Sequence, residues 1–435
     1  MRRQMQFTMS ADDARCRGGS HLWDIGLGET RSEIMARIKV AIACQGGGSQ
    51  TAFTAGALKE LIGVHDRLKE EFRFVSLSGT SGGSLCAALV WYSFMKGERP
   101  FSKRLMDFWH ENTAHDWLEE AFNDFIVRYL RTINSGLLPA FQFSPSSPLL
   151  TSMMSGISAF MRRKEFMDFP ALLRKYIDFE EIASWGPRPQ PPVLVVGAAN
   201  VSTGSLVKFS SAHQSIRLEQ LLASCCVPTI FPPVMIDEHA YWDGLFSDNP
   251  PIDELVRPRT VGMDNVPEEI WLIKINPTAR RRVPRQPADI IDRHNQLEGN
   301  ISLFQQLKQL ELLNDMLVAD VFRPEFLAQM DIKAPIRIPK SLTCPDRPYH
   351  IPCIEMPDEV QEKLDYEGKI DRSAKNIDGL IAIGEASARE FLKKRAAAVA
   401  ASSSEAGKAA TAALKDYLWR GAKPRRGDKR AGRRP

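Results

Sequence analysis

Two glycine-rich turns and one late carboxylate carry the chemistry available to this sequence. Gly79-Thr80-Ser81-Gly82-Gly83 reads G-x-S-x-G and lies between a predicted strand and a predicted helix. A serine on so tight a turn points its hydroxyl out of the sheet, and its neighbours must be small because the backbone there is strained and crowded. The helix that starts at the turn aims its first N–H groups at the site, where they favour developing negative charge. Ser81 is therefore a candidate nucleophile supported by Gly79 and Gly83; the alternative is an ordinary glycine-rich turn. The other turn, Gln45-Gly46-Gly47-Gly48-Ser49-Gln50, leaves backbone N–H groups unobstructed by side chains. Such a loop suits an oxyanion hole or a phosphate cradle, with Gly46, Gly47, Gly48 and Ser49 as the donors. Asp243-Gly244 follows Tyr241-Trp242 and reads as a turn that presents a carboxylate.

Competing chemistries fit less of the pattern. A dinucleotide-binding fingerprint would begin at Gly46-x-Gly48, but Thr51 stands where its third glycine belongs. The next strand also ends in Ser78-Gly79, without the acidic residue that holds a ribose. No Gly-Lys-Ser/Thr follows to make a phosphate loop of the Walker type. A nucleotide-binding enzyme stays as the alternative from another class. The seven cysteines, Cys16, Cys44, Cys86, Cys225, Cys226, Cys344 and Cys353, are odd in number and lack CxxC spacing. That argues against a disulfide framework or a zinc site and suits a reducing compartment. No metal and no cofactor is expected. A Ser-Asp/Glu-His triad in the α/β-hydrolase order would need a late histidine, His294 or His350. His294 sits in the charged helical segment Asp292-Arg293-His294-Asn295, which suits a surface or capping role. His239 lies four residues before Asp243, on a hairpin, and reads as structural.

The elements that would position these residues alternate along the chain. Ile38 to Cys44 is a short apolar run stopped by glycines, a buried strand. A helical pattern runs from Thr51 to Ile62. Arg73 to Ser78 is a second strand and Gly82 to Met95 a second helix. Pro192 to Val201 and Glu269 to Ile275 are further strands. Buried runs alternating with helices argue for an α/β fold whose sheet is covered on both faces and is at least partly parallel. Phe101 to Gln190 is dense in Phe, Trp, Leu and Met and reads as helices beside or over the sheet. Those side chains suit core packing, or an adaptable acyl-chain pocket or lipid-facing lid.

Composition bounds the rest. Apolar residues make up 43% and charged residues 25% of 435, ordinary globular usage that excludes a wholly disordered, collagen-like or coiled-coil chain. No stretch reaches the ~18 apolar residues of a membrane-spanning helix, and the start lacks the apolar core of a Sec-type signal. Residues 1–36 read as a poorly ordered leader and 37–395 as the main domain, with 101–190 as a helical insertion or lid. Residues 396–435 read as an Ala/Ser-rich and then Lys/Arg-rich flexible tail. From Arg420 to Pro435 there are eight basic residues and one acid, so the net charge of +4 leaves a nearly neutral body. No nucleic-acid partner is expected from such a body. The tail, with Leu418 and Trp419 beside it, is a candidate for contact with anionic lipid, at about 1 kcal/mol per basic residue near the surface. A solvated disordered tail is the alternative.

Taken together and in this order, the segments resemble the patatin-like phospholipase family from roughly Lys39 to Leu313. The resemblance includes Gly46-Gly47-Gly48 with Gly56-Ala57-Leu58, then Gly79-Thr80-Ser81-Gly82-Gly83. It includes Pro228 and Phe231-Pro232-Pro233, then Asp243-Gly244 with Asn249 and Pro251, and the run from Asp292 to Leu303. It implies a three-layer α/β fold with a central, mostly parallel sheet flanked by helices. It also implies a Ser–Asp dyad without histidine: Ser81 as nucleophile, Asp243 as general base, and the N–H groups around Gly47 and Gly48 for the oxyanion. The implied activity is hydrolysis of lipid acyl esters, phospholipids first and neutral glycerolipids or other long-chain esters next. The expected location is cytoplasmic with peripheral membrane contact, and nothing in the sequence specifies an oligomeric state.

Some positions depart from the family pattern. Gln50 and Thr51 replace the Arg/Lys-Gly that usually ends the glycine loop, and Leu245 replaces a small residue after Asp243-Gly244. Cys225 and Cys226 stand where small residues are usual. A catalytically weak, lipid-binding member of the family is therefore a second alternative. A carboxylate of ordinary pKa near ~4 is a poor base for a serine hydroxyl in water. The dyad requires a dry site that raises its basicity and preorganised donors for the oxyanion.

Overall fold

Ile38–Cys44 forms β1, the strand that the apolar run predicts. Its residues alternate between two cores: Val40, Ile42 and Cys44 face one cluster of buried side chains, Ala41 and Ala43 the other. The alternation recurs two strands away, where Leu194 and Val196 face the first core and Val193 and Val195 the second. A sheet buried on both faces is why these strands read as continuous apolar runs. The structure, a computed structural model, describes residues 37–67, 71–138, 144–228, 230–246 and 248–422. The leader, 1–36, and the last part of the tail, 423–435, lie outside the described residues.

The other strands of this sheet are β2 (Phe72–Thr80), β3 (Val193–Asn200), β4 (Leu206–Ser210), β5 (Val234–Ile236), β6 (His239–Asp243), β7 (Glu269–Lys274) and β8 (Ile354–Glu355). They lie in the order β8-β7-β1-β2-β3-β6-β5, with β4 also paired to β3. The pairings β7–β8, β1–β7, β1–β2 and β2–β3 are parallel; β3–β4, β3–β6 and β5–β6 are antiparallel. The fold is thus a mostly parallel central sheet flanked by helices. The carboxyl ends of β1 and β2, where parallel sheets gather their ligands, carry the two glycine turns.

The helices divide by what they cover. α1 (Ala52–Arg67) follows β1, and α2 (Gly82–Lys96) follows β2. α2 is buried from Gly82 to Ser93, as a helix apolar on all sides must be. It stops at Gly97, whose left-handed φ of 65° lets its N–H close on Phe94 O at 3.1 Å. The aromatic block forms α3 (Lys103–Glu111), α4 (Trp117–Asn134), α5 (Pro148–Phe160), α6 (Phe169–Tyr176) and α7 (Phe179–Trp185). Aspartates cap three of these helices; Asp116, for example, accepts from Leu118 N and Glu119 N at 3.0 Å. α3, α6 and α7 send Leu105, Phe108, Leu172, Leu173 and Ile182 into the first core. α8 (Leu218–Ser224) packs on the same side.

On the other face lies α9 (Pro287–Val318), whose Leu303, Leu307 and Leu310 belong to the second core. α10 (Ala374–Ser403) returns to the first. It runs through the point at residue 396 where the composition turns alanine-rich. Arg395 is only 4% exposed and forks onto Glu269 at 2.9 and 2.8 Å, stacked over Phe72. α11 (Glu405–Ala422) follows and buries Leu414 in the second core. Among the described residues no helix is long and apolar enough to cross a membrane.

Candidate active site

Ser81 sits between the last residue of β2 and the first of α2, at φ 54° and ψ −137°. A non-glycine residue at positive φ stores about 1–3 kcal/mol and survives only where its surroundings over-determine it. Here they do. Ser81 N donates to Ser224 Oγ at 3.0 Å, and Ser224 Oγ donates to Gly197 O at 2.7 Å. Ser84 donates twice to Ser81 O, from its N at 2.9 Å and its hydroxyl at 2.7 Å. The turn is also packed backbone against backbone. A Cβ on Gly83 would lie 2.2 Å from Cys44 O, and one on Gly46 2.2 Å from Thr80 O and 2.6 Å from Ser81 Cβ. The small residues of both turns are therefore required by each other: the glycine loop after β1 crosses directly over the serine turn.

Asp243 reaches the serine through sheet register. Gly197 pairs with Thr80 across β2–β3, and its neighbour Ala198 pairs with Asp243 across β3–β6. The carboxylate ends its strand beside the serine turn, 1% exposed, with its own N–H on Cys226 O at 2.8 Å. Leu245 N donates to its Oδ1 at 2.8 Å. Burial pushes its pKa up to about 7, opposed by the nearby Ser81 side chain and the Leu245 bond. Cys225, partly buried, lies near this carboxylate, and desolvation together with Asp243 keeps its thiol well above the ordinary range. It stays a neutral apolar wall, as its small size suggests.

The glycine loop is pinned from outside its own strand. Gly46 N donates to Asn249 Oδ1 at 2.7 Å, and Asn249 Nδ2 returns a bond to Gly46 O at 3.3 Å. The expectation that Gly46 is an oxyanion donor is corrected here: its N–H is occupied. Gly47, Gly48 and Ser49 begin a short 3-10 turn, Gly48–Thr51, whose first N–H groups have no acceptor within the turn. Gly47 is partly exposed and Gly48 exposed, so their backbone is open to a ligand. Thr51 Oγ1 closes the turn on Gly48 O at 2.6 Å. Gln50, in place of the usual cation, is 3% exposed and donates to Asp365 O at 3.4 Å, so it turns inward rather than toward the site.

Several residues that hold this arrangement carried no role in the sequence reading. Gln45 Oε1 accepts from Ile275 N and Asn276 N, both at 2.8 Å, and Gln45 Nε2 donates to Asn249 O at 3.2 Å and Asn300 Oδ1 at 3.4 Å. Gln306 Oε1 accepts from Ile252 N at 2.7 Å and Asp253 N at 3.1 Å. Asn300 and Gln306 both lie on α9. The signal available was the run from Asp292 to Leu303, whose buried amides are spaced to face one side of a helix.

No described histidine side chain bonds Ser81 or Asp243. His294, 68% exposed at its side chain, lies 3.5 Å from Glu298, and His350 binds Glu311 at 3.0 Å. His239 opens β6 on the expected hairpin and bonds Asp237 O at 2.8 Å. A cleft of about 800 Å³ lined by His350, Ala401, Ala410 and Tyr417 touches neither Ser81 nor Asp243. What marks this site is a strained serine and a buried carboxylate. A serine hydroxyl close to a carboxylate of near-neutral pKa, beside backbone donors open to a ligand, has the parts that acyl transfer needs.

No curated protein matches the chain. A solved structure, VipD from Legionella pneumophila, is similar over 82% of this chain and 67% of its own, at 12% identity and a TM-score of 0.34. The sequence model of the patatin-like phospholipase family matches residues 42–256, the span that holds the glycine loop, Ser81, Asp243 and Asn249. Residues 42–256 of the chain thus form a patatin-like phospholipase domain.

Proposed function

We propose that the protein hydrolyses fatty-acyl esters of lipids, phospholipids foremost, through Ser81 and Asp243. The observation that carries the reading is the buried Asp243 carboxylate, raised to about 7, at the end of its strand beside the strained Ser81 turn. Family membership supports lipid acyl hydrolysis as the general class of activity.

The reaction follows from the arrangement. Ser81 Oγ attacks the ester carbonyl and its proton passes to Asp243. The carbonyl oxygen becomes an oxyanion held by the N–H groups of Gly47, Gly48 and Ser49, aided by the first N–H groups of α2. Collapse breaks the ester C–O bond, and the leaving alcohol takes the proton from Asp243. Water then gives a proton to Asp243 and attacks the acyl-serine, and the fatty acid leaves as Ser81 regains its proton. A buried carboxylate suits both halves, since desolvation moves its pKa toward the working pH.

Fluorophosphonate labelling tests the reading, with hydrolysis of a short-chain and a long-chain ester measured alongside. Wild type is expected to label and turn over; Ser81→Ala to do neither; Asp243→Asn to lose turnover while staying folded. A folded wild type that neither labels nor hydrolyses, or an Asp243→Asn within a few-fold of wild type, would overturn it.

A further inference from the structure

The helices α4 and α5 break the usual rule of apolar inside and polar outside. On α4 three of the four buried side chains are polar: Glu119, 0% exposed, Asn123 and Asn134, with Val127 the apolar one. Glu119 is bound by Arg163 and Asn123 by Asp371 and Arg372 N. The outward side chains are Trp117, Phe125 and Tyr129, at 74%, 61% and 37% exposure, the last two stacked with ring centroids 6.0 Å apart. α5 has no buried residue at all, and exposes Leu149, Met153 and Phe160 at 69%, 54% and 81%. It is tied to α4 through Ile157, which joins Leu118 and Phe122 around Met161 and Phe166.

Charge along the same stretch is distributed in one particular way. From Thr132 to Met161, 30 residues, there is no Asp, Glu, Lys or Arg. Arg131 precedes the stretch and Arg162-Arg163-Lys164 follows it. Arg163 is spent on Glu119 and Glu111, but Arg162 and Lys164 are exposed and have no acidic partner among the described residues. Nearby, Arg128 and Arg131 make long, exposed pairs with Asp124 and Asp365, at 3.5 and 3.4 Å. Glu120 is the other exposed acid on α4. At about 1.5 Å per residue, α5 is roughly 20 Å long, too short for a bilayer core of about 30 Å. An uncharged helix of that length with a cationic margin and outward Trp, Tyr and Phe lies in the plane of an interface.

We infer that the α4–α5 surface is the membrane-docking face of this protein, and that its partner is a bilayer bearing anionic headgroups. The inference rests on the lipid-hydrolase reading and deepens it by naming the surface that meets the lipid. α4 also packs on the 3-10 turn Glu367–Lys369, whose Lys369 O lies where a Cβ on Gly48 would be, 2.4 Å away. The docking face and the glycine loop therefore share a neighbour.

The test uses the full chain carrying Ser81→Ala, so that hydrolysis cannot alter the vesicles, in co-sedimentation with phosphatidylcholine vesicles with and without phosphatidylglycerol. Leu149→Asp/Phe160→Asp is expected to weaken binding about tenfold or more, with an unchanged unfolding midpoint because both positions are exposed. Arg162→Glu/Lys164→Glu is expected to remove the advantage of the phosphatidylglycerol vesicles and leave the rest. In the Ser81 background, Leu149→Asp/Phe160→Asp should hydrolyse a soluble short-chain ester as wild type does. Unchanged vesicle binding by Leu149→Asp/Phe160→Asp would overturn the inference. So would a self-association, seen by light scattering, that those substitutions abolish without touching vesicle binding. If wild type hydrolyses no ester yet binds vesicles through Leu149 and Phe160, the hydrolase reading falls and the docking face stands.

Discussion

Asn249 holds Gly46 by both of its backbone polar groups, accepting from the N–H at 2.7 Å and donating to the carbonyl at 3.3 Å. A side chain some two hundred residues away thus fixes the loop that crosses over Ser81. Asn249→Ala would leave a buried N–H without an acceptor, at a cost of about 1–3 kcal/mol, and would release the loop. The expected result is a modest fall in unfolding midpoint and a fall in kcat of about 100-fold, since small misplacements of donors are costly. Steady-state kinetics beside thermal unfolding checks this; unchanged kcat would show that Gly46 need not be held.

The positive φ of Ser81 makes a prediction about stability separate from catalysis. Ser81→Ala and Ser81→Gly both remove the hydroxyl proposed as nucleophile. Only glycine accepts φ 54° without a steric penalty. Ser81→Gly is expected to be more stable than Ser81→Ala by about 1 kcal/mol, read by denaturant unfolding. Equal stabilities would mean that the turn is not strained.

The raised pKa of Asp243 fixes the sign of two pH dependences. As a base it must be ionised, so kcat/KM should rise with pH with a midpoint near 7. For stability the direction is opposite. Unfolded, the group titrates near its ordinary ~4; folded, it keeps its proton to about 7. Its contribution is therefore fully present below the unfolded pKa and is lost as pH rises through the folded one. Asp243→Asn lacks this slope, so its stability relative to wild type should improve as pH rises from 5 to about 8. A difference that is flat with pH would contradict the buried, protonated carboxylate.

Arg395 and Glu269 form the ionic contact that ties α10 to the sheet. Glu269 is 0% exposed and also receives Trp271 Nε1 at 2.9 Å and Arg337 at 3.1 Å. Removing Arg395 strands most of a buried charge, which ordinarily costs about 3–5 kcal/mol. Arg395→Ala should fall near the lower end because Arg337 remains. Arg395→Ala/Glu269→Gln should cost less than the sum of the two single changes, and chemical unfolding of all four proteins would measure it.

The parallel strands and the first two helices could be read from the sequence because burial on both faces writes a continuous apolar run, and because glycines punctuate β1 and β2. The candidate site residues stood out for a related reason: strained turns admit few residue types. The antiparallel part was harder. β6, His239–Asp243, mixes polar and aromatic residues, and the pairing of Ala198 with Asp243 is long-range, so nothing local announces that this carboxylate meets Ser81. Gly46 looked like one donor among equals because its commitment to Asn249 is a tertiary bond. At residue 396 an alanine-rich composition serves a helix as well as a flexible tail, and Arg395 looks like any surface cation until its partner is known.

The pinned glycine loop has a consequence for what counts as a self-sufficient module. The matched family span stops at residue 256. Yet Gln45 is secured by Ile275, Asn276 and Asn300, and Gly48 abuts Lys369. β7, the partner of β1, also lies beyond that border. Cutting the gene at the edge of sequence similarity would remove the scaffolding of the loop while keeping every motif intact. The portable unit extends through α10, and a graft or fusion has to carry that whole stretch to keep the glycine loop and the Ser81 turn in this arrangement.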